Sequence, residues 1–223
     1  MKPLLLTLLT AALLSSAAGA SAQALRIAYA DPVSSLDPQL NNHAGDRSLA
    51  LHVWESLLDR RDDKNLPGLA ESWKAIDANT WEFKIRQGVK WQDGQPFTAD
   101  DLVFSLERAR NVPGSVAPYS SSLRTVESVS APDPYTLRVK TSVPNPLLVQ
   151  NIDSVYIVSR HVGAKSGTED YNSGKAVIGT GPYRLVSYAQ GDRTLFERNK
   201  DYWGKQPLWD TVVQVWPYAL QTS

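Results

Sequence analysis

The sequence predicts a mixed α/β fold, with strands and helices drawn from the same stretch of chain, and three observations carry the expectation. Trp81, Phe83 and Ile85 alternate with Glu82, Lys84 and Arg86, the period of two that sends apolar side chains to one face of a half-buried strand. Shortly after, Thr98 is followed three residues later by Asp101, a capping-box spacing that opens a helix whose buried stripe is Leu102, Leu106 and Ala109, with Val103 beside it. Further upstream Leu49, Val53, Leu57 and Leu58 recur at helical spacing within 48–60, which predicts a second amphipathic helix.

The chain opens with Met1-Lys2-Pro3, an apolar run from Leu4 to Leu14, and small residues ending Ala20-Ser21-Ala22. A charged start, a short apolar run and an A-x-A site predict a secretory signal peptide over 1–22, cleaved before Gln23. The run is shorter than the ~20 residues that span a bilayer. The expected mature protein is therefore exported, periplasmic and not membrane-embedded. Lys+Arg and Asp+Glu both number 23, and no Lys/Arg block stands out, which argues against nucleic acid as a partner. There is no cysteine, so neither a disulfide framework nor a thiolate metal site is available, and no cofactor is expected. The 7 tryptophans and 9 tyrosines fill a core or face a ligand; the pattern alone leaves both uses open.

In order along the chain, Leu25 to Ala30 reads as the first strand, stopped by Asp31-Pro32. A polar loop through Ser35-Leu36-Asp37-Pro38 leads to the 48–60 helix, on which His52 is a packing or surface residue. After the strand at 81–86, Gln87-Gly88 and Asp93-Gly94 turn the chain around the apolar pair Val89 and Trp91, and the capped helix follows. Asn111 to Ser122 is a Pro-, Gly- and Ser-rich loop. Leu123 to Val129 and Tyr135 to Thr141 predict a hairpin across Ala131-Pro132-Asp133-Pro134. Leu147 to Ile152 predicts a short helix, Val155 to Val158 a buried strand, and Gly163 to Gly174 a polar, flexible stretch. Ile178-Gly179-Thr180-Gly181-Pro182-Tyr183 lacks the Lys-Ser/Thr of a phosphate loop and predicts a tight turn into a strand. The last expected strands are Tyr183 to Tyr188 and Thr194 to Arg198, paired across Gln190-Gly191-Asp192, and one beginning at Asp210.

The wording from Trp81 to Arg108, WEFKIRQGVKWQDGQPFTADDLVFSLER, resembles the signature of the bacterial extracellular solute-binding proteins of family 5, periplasmic receptors for peptides, nickel and related solutes. Leu66-Pro67-Gly68-Leu69-Ala70-Glu71-Ser72-Trp73, Gly179-Thr180-Gly181-Pro182-Tyr183 and Arg198-Asn199-Lys200-Asp201-Tyr202-Trp203 are similar to further runs of that family. The resemblance implies a periplasmic-binding-protein type II fold: a first lobe built from 23–58 and 161–223 around an inserted subdomain, 59–160. It implies a receptor for oligopeptides or dipeptides, working with the membrane permease subunits of an ABC transporter, as a monomer. It also implies that Asn42, His43 and Ala44 line one wall of a binding cleft, or else simply lead into a helix. Tyr119, of the pair Pro118-Tyr119, contacts the ligand or else only pins its loop. After Val213 the resemblance stops short of the family's second lobe. Truncation is the corresponding expectation, with a non-binding remnant as the alternative to a working receptor.

Other classes fit less well. There is no GxSxG elbow and no HExxH, and His43, His52 and His161 have no carboxylate at metal-triad spacing, so an enzyme is not expected. A secreted carbohydrate-binding module would use the tryptophans, but it would be all strands, against the helical spacing at Leu49 and Leu102.

Overall fold

The computed structural model describes residues 24–62 and 64–216; the expected signal peptide lies outside the described residues. Two four-stranded sheets, each with its own buried core, organise the chain.

The first sheet is mixed, in the order β1 (Ala24–Ala28), β10 (Thr211–Val215), β9 (Arg193–Arg198), β8 (Tyr183–Ala189). β1 lies parallel to β10, while β10, β9 and β8 run antiparallel to one another. Helix α1 (Ala44–Val53) packs on this sheet. Leu36, Leu49, Val53, Trp54, Phe196 and Val212 form the heart of its core.

The second sheet is antiparallel, in the order β4 (Ala70–Ala75), β5 (Thr80–Ile85), β7 (Thr136–Thr141), β6 (Val126–Asp133). The period-two face of β5 turns Phe83 and Ile85 inward. Helix α2 (Ala99–Arg108) lies against β6 and β7 and buries Leu102 and Leu106. Each such leucine contributes about 1.5–3 kcal/mol by leaving water. The cap at Thr98 holds: its backbone N–H donates to Asp101 Oδ2 at 2.9 Å. Gly88 and Gly94 both adopt positive φ, 78° and 87°, as the turns around Trp91 require. A small hairpin, β2 (Leu58–Arg61) and β3 (Lys64–Pro67), stands beside this unit.

Three local expectations are corrected. The first helix does not run over 48–60: it starts four residues earlier and ends at Val53, and Leu58 opens a strand instead. Trp54 is extended (φ −111°, ψ 154°) because tertiary bonds claim the chain there, its indole donating to the Ile178 carbonyl at 3.0 Å and the Glu55 carbonyl accepting from Ile157 N–H. The segment Val155–Val158 is buried and extended but joins no ladder. Its odd residues belong to the second sheet's core and its even ones to the first's, so it separates the two cores. Side chains join backbone carbonyls in satisfying its backbone: Gln39 Nε2 donates to the Tyr156 carbonyl at 2.7 Å, Ser105 Oγ donates to the Val158 carbonyl at 3.0 Å, and Val158 N–H donates to Ser105 Oγ at 2.9 Å, while Ile157 N–H donates to the Glu55 carbonyl. The stretch expected to be flexible, 163–174, holds the last residue of α4 (Arg160–Gly163) and all of α5 (Thr168–Asn172), because Tyr171 is buried and Asn172 Oδ1 accepts from Leu36 N–H and Ser35 Oγ.

The Gly179-Thr180-Gly181 turn owes its glycines to space. A Cβ on Gly179 would stand 1.7 Å from the Val53 carbonyl oxygen, and one on Gly181 2.6 Å from it. Gly181 N–H instead donates to that same oxygen at 2.9 Å, so the end of α1 and the start of β8 are clamped together.

Candidate functional site

Where the two units meet, a cleft of about 800 Å³ opens between α1, the Trp54–Ser56 segment, the β2–β3 hairpin, the chain following α3 (Leu148–Ile152) and the turn at Tyr202–Lys205. Clefts that hold small solutes fall in this size range.

Next to the cleft, joined to it by the bond from Arg47 to Asn42, runs the loop through Asp37. This carboxylate is fully buried and receives both terminal nitrogens of Arg108, at 2.6 and 3.0 Å, and Thr168 Oγ1 at 2.9 Å. Burial pulls the Arg108 guanidinium down, and its bonds to Asp37 more than offset that, leaving it above its ordinary range. The pair ties the loop to α2. Beyond it, residues 40–42 run beside 115–117: Asn42 N–H donates to the Ala117 carbonyl at 2.7 Å, Asn41 Oδ1 accepts from Val116 and Ala117 N–H at 3.1 and 3.3 Å, and Ser115 Oγ donates to the Leu40 carbonyl.

The sequence-derived candidates Asn42, His43, Ala44 and Tyr119 lie on this loop and the segments bonded to it, and none of them is among the residues that line the cleft. Asn42 and His43 are half-buried, and Ala44, the first residue of α1, is exposed. His43 Nε2 lies 3.2 Å from both Ser34 Oγ and Asp46 Oδ2. The Tyr119 ring is wholly buried, with its hydroxyl donating to the Pro38 carbonyl at 3.2 Å. Burial pushes that phenol well up.

Sequence reasoning missed three residues that shape the cleft. Arg47, in the first turn of α1, reaches across the floor: Nη1 donates to the Ser154 carbonyl at 2.9 Å and to Asn42 Oδ1 at 3.2 Å, and the guanidinium lies 5.3 Å from the centre of the Tyr156 ring. Glu55 accepts from Tyr202 hydroxyl at 3.0 Å and from Trp203 Nε1 at 2.8 Å, while burial raises its carboxyl above the ordinary 4.5. Asp153 accepts from Leu58 N–H at 3.0 Å and is likewise raised by burial. Tyr202 and Trp203 were visible as a motif, but nothing in the sequence pairs them with a glutamate nearly 150 residues earlier. Arg47 carries no motif signal at all.

Ser159, His161 and Asp93 also form a bonded row, with contacts of 2.7 and 2.6 Å. It does not make a nucleophile. Ser159 is 3% exposed and its hydroxyl accepts from Val162 N–H as the cap of α4.

The family description "Bacterial extracellular solute-binding proteins, family 5 Middle" matches residues 65–216. The periplasmic oligopeptide-binding protein OppA of Escherichia coli is 30% identical over 211 residues, covering 86% of this chain and 38% of that protein. Among solved structures, OppA of Burkholderia pseudomallei superposes with a TM-score of 0.79 at 26% identity, covering 91% of this chain and 44% of that one. OppA of Haemophilus influenzae in complex with the peptide RPPGFSPFR gives 0.76 at 29% identity, covering 87% and 42%. The chain thus spans about two fifths of the length of the proteins it matches. The architecture is that of the type II periplasmic binding proteins, as the resemblance implied.

Proposed function

The chain belongs to the bacterial extracellular solute-binding proteins of family 5, and from that premise we propose that it serves a periplasmic receptor that captures oligopeptides or dipeptides for an ABC transporter. The family and the relatives are solute-binding receptors rather than enzymes. Export under the 1–22 signal, delivery to membrane permease subunits and action as a monomer are parts of the proposal. So is the division into a lobe of 23–58 and 161–223 with 59–160 inserted, which the two separate cores support.

The single observation that carries the reading is the cleft at the junction of the two cores, beside which the chain before α1 is bonded to the 115–117 loop. Residues 40–42 and 115–117 are bonded side by side, and an extended peptide laid along Asn42 to Ala44 extends that arrangement. Affinity from main-chain bonds suits a receptor for varied sequences, because every peptide offers the same groups. Tyr119 serves that arrangement by pinning its loop to the Pro38 carbonyl. Among the described residues no helix is long and apolar enough to cross a membrane.

The test is titration calorimetry of the chain against a panel of three- to five-residue peptides. Saturable binding to several unrelated sequences is expected. Heat only of dilution across the panel, with the chain folded by circular dichroism, would overturn the proposal.

A further inference from the structure

We propose that Arg47 is the anion subsite of the cleft and docks a carboxylate of the solute, an inference that rests on the receptor reading and adds the chemistry that reading leaves open.

Three carboxylates that line the cleft are already engaged. Glu55 is occupied by a phenol and an indole. Asp153 is occupied by a backbone N–H, and Asp59 pairs with Arg61 at 2.7 Å. Arg47 differs. The two bonds of Nη1 go to neutral oxygens, and the guanidinium also meets the Tyr119 hydroxyl; among the described residues it has no carboxylate within salt-bridge distance. A guanidinium with no carboxylate partner is suited to receive one through two parallel bonds.

The group is also held in place. Nη1 is fixed to the Ser154 carbonyl, the guanidinium rests near the Tyr156 ring, and the Tyr156 hydroxyl in turn donates to the Arg47 carbonyl at 3.2 Å. A cation pre-positioned at both ends of its side chain loses little freedom when a ligand arrives. It lines the cleft and bonds Asn42 beside it, so a peptide laid along Asn42 to Ala44 brings either its terminal carboxylate or an acidic side chain within reach.

Four peptides separate these cases on the full chain by calorimetry: tri-alanine and its C-terminal amide, and the amidated peptides Ala-Glu-Ala and Ala-Gln-Ala. In the unaltered protein one acid should bind about ten- to a hundredfold more tightly than its neutral partner, the range of a charge-assisted bond. A difference in the first pair assigns the terminal carboxylate, and a difference in the second assigns a side chain. In Arg47→Gln the preference should fall to about unity; in Arg47→Lys, which keeps the charge and loses the fork, it should be reduced. Each preference is a ratio within one protein, so a general loss of stability does not imitate the result. Equal affinities within both pairs, or a preference that survives Arg47→Gln, would overturn the subsite while leaving the receptor reading in place. Failure of all four peptides to bind would overturn both.

Discussion

Glu55 shows how much of the cleft depends on single contacts. Its two oxygens are the acceptors for Tyr202 and Trp203, so Glu55→Ala leaves two partly buried donors without partners. We expect a loss of about 1–3 kcal/mol in denaturant unfolding. The pH dependence has a definite sign. Burial raises the folded carboxyl above 4.5, so the folded protein holds a proton there that the unfolded chain releases. That contribution is fully present below about pH 4.5 and is lost as pH rises through the folded value. Glu55→Gln does not titrate, so its stability should gain on the wild type as pH rises through that interval. A constant difference between the two across pH 4.5 to 8 would show that Glu55 is not perturbed.

Among the elements, those with local signatures were legible in the sequence. The capped helix α2, the hairpin of β8 and β9 and the turns at Gly88 and Gly94 are set by nearby residues, and they fold where their patterns point. The misread elements are those whose partners lie far along the chain. The end of α1 answers to Ile178 and Ile157, and Val155–Val158 answers to Gln39 and Ser105. Burial predicted that segment correctly; a ladder did not follow, because side chains and the single Glu55 carbonyl took the place of a neighbouring strand. Ser105→Ala tests this. It removes the acceptor of Val158 N–H in a site with no exposure, and should cost about 1–3 kcal/mol with faster amide exchange at Val158. Unchanged exchange there would mean that the hydroxyl is not what holds the segment.

For the whole molecule, the resemblance pointed to the loop beside the cleft and not to the residues that line it. Asn42, His43 and Ala44 follow the loop through Asp37, whose carboxylate is its buried anchor. The floor is made by Arg47, Ser154 and Tyr156, drawn from both units, and it exists only once the two cores have been brought against the Val155–Val158 segment. No local pattern encodes that meeting. The central claim is that solute is held at this junction, and hydrogen–deuterium exchange with and without saturating tri-alanine tests it most directly. The account predicts slowed exchange confined to residues 42–47, 115–118 and 150–156, with the outer strands β4 and β6 unchanged. Bound peptide with protection elsewhere, and none at 42–47, would contradict it.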